Sequence, residues 1–326
     1  MRLLLLDPDL ADPERVARNL RFGPDGRSLA AVLGNPDSGR RVVVRYDLDR
    51  DRGTVVPEPN DDDEGREDAP DPAVSPDLEL VAEVLADHHG YDFVRLNDTW
   101  AKPPEEVDLP AVGDGMNVTA VGFALGGGVL LVGVVGPEVD ACRVLRWDMN
   151  ALFDAADPAD AMLDPIQLDE GTESTAFADA ADGLTLVVGT AQGTAVLFDL
   201  TGTRRPLSVV HSSRGARVTQ LVFSPDGQRL ATRGAGAVAV WDVASGEELV
   251  RLSGGGRPTG VAFTPDGGHL LVSSVDGTVS RWDATAFTLA DRFDWRLGPL
   301  HSVAVAPDGL TAAAGGDAGR VVVWDM

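Results

Sequence analysis

The sequence repeats itself, and any fold for it must place the repeats equivalently. Phe223-Ser-Pro-Asp-Gly227 returns as Phe263-Thr-Pro-Asp-Gly267 and Val305-Ala-Pro-Asp-Gly309, with an earlier copy at Phe22-Gly-Pro-Asp-Gly26. Weaker copies are Val74-Ser-Pro-Asp77, Phe123-Ala-Leu-Gly-Gly127 and residues 177–183. Each is followed by an aromatic-Asp pair or its relic: Tyr46-Asp47, Leu96-Asn97, Trp147-Asp148, Phe198-Asp199, Trp241-Asp242, Trp282-Asp283 and Trp324-Asp325. The second members fall at 47, 97, 148, 199, 242, 283 and 325, so the period is 41 to 51 residues. One unit of that length cannot bury its apolar face alone, and neighbouring copies must stack.

Within a copy the chemistry is that of a β-sheet. Pro presets φ, Asp bonds its own backbone and Gly takes positive φ, so Pro-Asp-Gly closes a tight hairpin. The copy from Arg217 gives strand a at 218–223, strand b at 229–232, strand c at 238–243 and strand d at 248–252. Strands a to c are nearly continuous apolar runs, as expected for sheets covered on both faces, and strand d is more polar.

Seven copies with these marks resemble the WD-repeat β-propeller family, over the whole chain and most strongly in the last three copies. The resemblance implies an all-β, closed seven-bladed β-propeller of four-stranded antiparallel blades, forming a single domain over residues 1–326. Copy seven stops at Trp324-Asp325-Met326, at the end of a strand c, so Arg2 to Leu6 is expected to supply its outer strand. Such a splice removes a free edge. Many members also carry a buried network of His, Ser or Thr, Asp and Trp. Here Asp276 stands six residues before Trp282, but no matching His is found, and the corresponding turn positions are Ala235, Gln192 and Ala318. Apolar packing is expected to hold the blades instead.

Insertions lie in the first half. With b–c and d–a turns taken as the top, residues 57–72 and 101–117 lengthen d–a connections, and 150–164 lengthens a c–d turn with room for a short helix. Charge follows the same division: of the formal −25, residues 47–114 contribute −16 and 115–200 contribute −11, while 201–326 balance. This acidity argues against a nucleic-acid partner, which needs clustered cations. One lysine against 26 arginines is the bias that a GC-rich genome would give and carries no functional message by itself. A single cysteine, Cys142, excludes an internal disulfide framework and multi-Cys zinc sites. The four-leucine run at the N-terminus is too short for a signal peptide. Gly115 to Pro137 is uncharged and long enough to span a bilayer, but its seven glycines, three of them consecutive, make it a turn between buried strands. The expectation is a cytoplasmic monomer, with no membrane partner.

Residues 60–71 can be forced onto a calcium loop through Asn60, Asp62, Glu64, Gly65 and Asp71, but Asp replaces the final Glu and flanking prolines exclude helices. A solvated acidic loop fits better, and no metal or cofactor is expected. His88 and His89 lack ligand-spaced partners, and no nucleophile elbow, zinc-protease motif or phosphate loop occurs. One constellation stands out. Arg214, Arg257 and Arg296 fall in equivalent d–a loops, with Arg233 in an assigned b–c turn and Trp295 adjacent. Arg and Trp are enriched at binding hot spots. The expected function is therefore a non-catalytic scaffold that binds a protein or peptide segment over its top face, orienting it by the divided charge. The alternative is an enzyme or small-molecule sensor at the central mouth, using His88 or His89 with an Asp or Arg.

Overall fold

The computed structural model describes residues 1–5, 15–34, 41–55, 69–86, 91–98, 105–110, 115–137, 142–199, 206–211, 216–234, 236–252 and 255–326. Over these the repeats fold into seven four-stranded antiparallel sheets, the blades of a propeller. Each a–b hairpin turns at its Pro-Asp-Gly copy. In blade 5, Asp226 Oδ1 accepts the Gln228 N–H at 3.0 Å and the Ser224 hydroxyl, while Gly227 takes a φ of 68°. The Ser224 hydroxyl, with these other donors, holds the Asp226 carboxyl below the usual range. In blade 2 the glycine position is Leu78, which adopts a φ of 65° and is buried. The aromatic-Asp pair works at the other hairpin. Its aromatic ring packs between sheets, and its Asp caps the c–d turn: Asp283 Oδ1 accepts the N–H groups of Thr285 and Ala286 at 2.8 and 2.7 Å. Asp148 does the same for Asn150 and Ala151, and there the turn grows into a six-residue helix, Met149–Asp154.

Two compact units result, residues 1–57 with 220–326, and residues 58–219. The first holds blade 1 (Val16–Phe22, Ser28–Gly34, Arg41–Asp47, Arg52–Val55), blade 5 (Gln220–Phe223, Arg229–Gly234, Ala237–Asp242, Glu248–Leu252), blade 6 (Pro258–Phe263, His269–Ser274, Thr278–Asp283, Leu289–Asp294) and blade 7. Blade 7 joins Leu300–Val305, Thr311–Gly316 and Arg320–Asp325 to Arg2–Leu5 as its fourth strand, with Leu4 opposite Val321. Leu4 is 2% exposed, and Arg2 donates to the Leu48 carbonyl at 2.7 Å and pairs with Asp51, so the chain start is pinned against the c–d turn of blade 1. Within this unit, strand a of blades 6, 7 and 1 lies against strand a of the blade before it. The Gln220 amide of blade 5 accepts the Val261 N–H at 3.0 Å and donates to the Val261 carbonyl at 2.9 Å in blade 6. Blade 7 meets blade 1 so closely that a Cβ on Gly315 would stand 2.5 Å from the Ala17 carbonyl.

The second unit holds blade 2 (Ala73–Val74, Leu80–Ala86, Asp92–Asp98, Glu105–Asp108), blade 3 (Asn117–Ala124, Val129–Val135, Arg143–Asp148, Met162–Gln167) and blade 4 (Ser174–Asp179, Thr185–Thr190, Thr194–Asp199, Pro206–His211). Buried Asp92 accepts the Val118 N–H at 2.7 Å and ties blade 2 to blade 3. The uncharged stretch 115–137 is the a–b hairpin of blade 3, and among the described residues no helix is long and apolar enough to cross a membrane. The 150–164 insertion does lie between strands c and d. The 101–117 insertion, by contrast, contains strand d of blade 2. Glu and Asp have low strand propensity, but Arg95 on strand c grips Asp108 at 2.6 Å and supplies the cross-strand partner. The acidic residues 57–68 and the histidines His88 and His89 lie outside the described residues.

The tryptophans differ in their polar satisfaction. Trp241 donates its indole N–H to Thr232 at 2.9 Å, two members of the expected network. The indole N–H groups of Trp147 and Trp324 are buried with no partner among the described residues. Thr232 stands two residues beyond Leu230, which pairs with Trp241; Ala314 holds the same place relative to Ala312 and Trp324. Thr232→Val is therefore expected to cost about 1–3 kcal/mol by stranding an N–H, and Ala314→Ser to recover about 1 kcal/mol, both read by urea unfolding. For the spliced blade, Leu4→Ala should cost about 2–5 kcal/mol and removal of residues 1–7 at least as much. An unchanged melting temperature after that removal would deny the strand its role.

Candidate functional site

The b–c turns and d–a loops lie at one end of the blades, and hydrogen bonds lock them together there. In blade 6 the b–c turn carries Asp276. Its carboxylate accepts the Gly256 N–H at 2.8 Å from the preceding d–a loop and the Thr278 N–H and hydroxyl at 3.1 and 2.7 Å. Partial burial opposes ionisation of Asp276, but the bonds from Thr278 and Gly256 outweigh it and hold the carboxyl below its usual value. The Arg257 carbonyl accepts the Val275 N–H and the Ser274 hydroxyl, both at 3.0 Å. The loop that presents Arg257 is thus fixed by its own backbone, while the Arg257 side chain is exposed.

The next loop is fixed differently. Trp295 stacks on Phe293, with ring centres 5.7 Å apart, and meets Trp324 at 4.6 Å. Trp295 is half-buried in the apolar cluster between blades 6 and 7, so its ring anchors the loop. Arg296 follows with a φ of 57°, its N–H on Asp294 at 2.8 Å and its side chain exposed. Gly277 approaches this loop closely; a Cβ there would stand 2.7 Å from the Gly298 carbonyl.

Arg233 is not in a turn. It is in strand b of blade 5, half-buried, and its Nε donates to Gln220 at 3.3 Å. Burial lowers its guanidinium pKa to about 10, and the like charge of Arg257 adds to this. Arg233 and Arg257 are therefore neighbours, and Arg296 is presented at the same end of the next blade step. Arg214 lies outside the described residues.

His301 and Asp317 escape a reading of the sequence alone. His301 occupies the bulge of strand a in blade 7, and its Nε2 lies 2.7 Å from Asp317 Oδ1 in the b–c turn. The acidic turn residue is thus Asp317, one place before Ala318. A signal for His301 exists: in six of the seven copies, six residues before the turn proline or its substitute, stand Arg18, Thr119, Thr175, Thr219, Thr259 and His301, with Pro70 in the remaining one. Bulges fall at Thr119, Thr175, Thr259 and His301, where a local extra residue re-aims a side chain. Cys142 is buried and free. Among the described residues no group of three His, Cys, Asp or Glu side chains is placed to hold a metal ion.

In the other unit a row of charges crosses blade 2: Glu83, Arg95 and Asp108 are successive cross-strand partners. Arg95 is held by both Asp108 oxygens, at 2.6 and 2.9 Å. Burial pushes the Glu83 carboxyl up to about 7; Arg95 opposes this and Glu106 adds to it.

Seven four-stranded blades, four of them turning on Pro-Asp-Gly and six carrying an aromatic-Asp pair, make this a WD-type β-propeller protein. A family profile described as "Nucleolar protein 10-like, N-terminal domain" matches residues 108–294, and the chain belongs to that family. Among solved structures, a chain in "Crystal Structure of Mitotic Checkpoint Complex" is similar, with a TM-score of 0.72 and 16% sequence identity over 100% of this chain and 91% of that one. At that identity the likeness shows the fold alone. No curated protein matches the sequence.

Glu83 makes stability depend on pH. Its folded pKa lies above its ordinary value of 4.5, so its protonated form favours the fold. That contribution is complete below about pH 4.5 and is lost as pH rises through about 7. Glu83→Gln should therefore stabilise the protein by an amount that grows across this window towards a value on the order of 3 kcal/mol. Thermal unfolding of both proteins between pH 4.5 and 8 measures it; a difference independent of pH would contradict the assignment.

Proposed function

We propose that the chain is a non-catalytic interaction scaffold, and that it binds a protein segment over the end of the blades bearing the b–c turns and d–a loops. The observation that carries this reading is the fixed presentation of Arg257 and Arg296. Each side chain is exposed, yet each loop is anchored, one by Asp276 and the other by Trp295. Pre-anchored loops lose little entropy on binding, and arginine offers a planar fork for carboxylates and aromatic faces. Arg233 behind Arg257 adds positive potential, and Arg214 is placed in the equivalent preceding loop by its sequence position.

Charge bears on the partner. Residues 58–219 carry 31 acidic and 9 basic side chains, a net −22, whereas residues 1–57 and 220–326 together carry −3. A partner with its own charge asymmetry, acidic where it meets the arginines and basic elsewhere, fits this division. Its binding is expected to weaken as salt rises. Nucleic acid is not the expected ligand, because a net −25 repels phosphate.

The test is affinity capture from native lysate with three proteins: wild type, Arg214→Ala/Arg257→Ala/Arg296→Ala, and a variant lacking residues 58–70. The expected result is a protein retained by wild type, released by raised salt, and reduced about tenfold or more by the triple substitution. Retention unaffected by either change would move the interface to the opposite end of the blades or to their outer edges.

A further inference from the structure

A cleft of about 130 Å³ lies between blades 5 and 6. Cross-strand pairing sets Gln220, Arg233, Val238 and Leu252 in one row across blade 5. It sets Val261, Val272, Ser280 and Arg292 in another across blade 6. The Gln220 amide clamps the inner ends of the rows together through Val261. Farther out the rows part, and the space is lined by Val238 and Leu252 on one side and by Val272, Ser280 and Trp282 on the other.

Glycines keep the mouth open. Gly236, Gly255 and Gly256 line it, and a Cβ on Gly255 would stand 2.6 Å from Arg292 Nη2. The missing side chain is what lets the Arg292 guanidinium reach the rim. Arg292 is exposed and has no ion pair among the described residues. Arg233, in the same row as Val238, lies beside Arg257, so two like charges adjoin the inner side. Asp276 is the acidic group near the rim; its oxygens already accept bonds from Gly256 and Thr278.

Size and charge together define the ligand class. An enclosed apolar cavity of about 150 Å³ holds benzene; this cleft, about 130 Å³ and open at its mouth, is of a size to take part of an apolar body of about six heavy atoms. Cations at its ends call for an anion, and a guanidinium fork matches a carboxylate in two parallel bonds. The nearby Asp276 charge disfavours a dianion such as a phosphate monoester. We propose that the cleft binds a small free organic carboxylate, its apolar body between Val238, Leu252, Val272 and Trp282 and its carboxylate on Arg292. This site shares the loop 255–257 and Asp276 with the scaffold reading, but its ligand rests on Arg292 and the Trp282 side of the cleft, which that reading does not use.

The experiment is an NMR titration that follows the Trp282 indole N–H signal, assigned by its loss in Trp282→Phe. The probes are phenylacetate, phenylacetamide and acetyl-Gly-Gly-Phe with a free C-terminus. Phenylacetate is expected to shift the signal saturably, and phenylacetamide to bind at least about tenfold more weakly, the loss of one charge-assisted contact. Arg292→Gln should weaken phenylacetate about tenfold without affecting the amide, and Ser280→Leu should fill the cleft and abolish both. No saturable shift, equal binding of acid and amide, or phenylacetate binding unchanged in Arg292→Gln would each overturn the proposal. Binding of the tripeptide without phenylacetate would also overturn it, in favour of a chain terminus. Because Arg292 is exposed, its substitution keeps the test decisive even if Ser280→Leu fails to fold.

Discussion

Within each compact unit, the structure rests on strand a of one blade lying across the blade before it, as at the seams of blades 5 with 6, 6 with 7, 7 with 1, 2 with 3 and 3 with 4. A four-stranded sheet of short apolar strands has two faces to cover and no means of covering them alone. The cover is supplied by strand a of the next copy, and the approach is close enough that side chains are rationed along it. Gly315 and Gly260 have none, Ser302 donates to the Ala17 carbonyl, and Gln220 bonds both backbone groups of Val261 with one amide. Buried polar groups at these seams bond across them, which fixes the stagger of neighbouring blades as well as their contact.

Much of this was legible in the sequence because its punctuation is local. A Pro-Asp-Gly triplet makes its own hairpin, and the Asp of an aromatic-Asp pair makes its own cap, so four hairpins could be read directly and three more from degenerate copies at the same period, without any long-range contact. What was not legible depends on partners distant in sequence. Strand d of blade 2, Glu105–Asp108, is poor in strand formers and exists because Arg95 meets Asp108. Trp295 stands next to Arg296 in the chain, but only its packing on Phe293 and Trp324 says which way the ring turns. Arg233 looked like a turn residue because strand b runs two residues past the apolar run, to Gly234. His301 and Asp317 were scattered letters until a bulge in strand a brought them together.

The arginine-bearing end also shows how the protein substitutes for missing members of the expected polar network. The turn carboxylate of Asp276, with no histidine to bind, takes the N–H of Gly256 instead and still fastens loop to turn. In blade 5 the Trp241–Thr232 bond survives without the other members. The network is thus dispensable piece by piece: Asp276 takes a backbone partner, Trp241 a side-chain one, and the indoles of Trp147 and Trp324 go without one among the described residues. That tolerance lets repeat copies drift in sequence while the loops they carry stay in position.

The N-terminal strand that completes blade 7 has a consequence for synthesis. Its partner begins at Arg320, 315 residues after Leu5. At roughly 5–20 residues per second a ribosome needs on the order of 15–60 s to make that interval. Through that time the first strand emerges with no edge to join, while the hairpins behind it close in microseconds. This strand is therefore made long before its partner and is built in late. Through that interval a nascent chain of this kind carries an unpaired hydrophobic β-segment, a ready template for pairing with another chain.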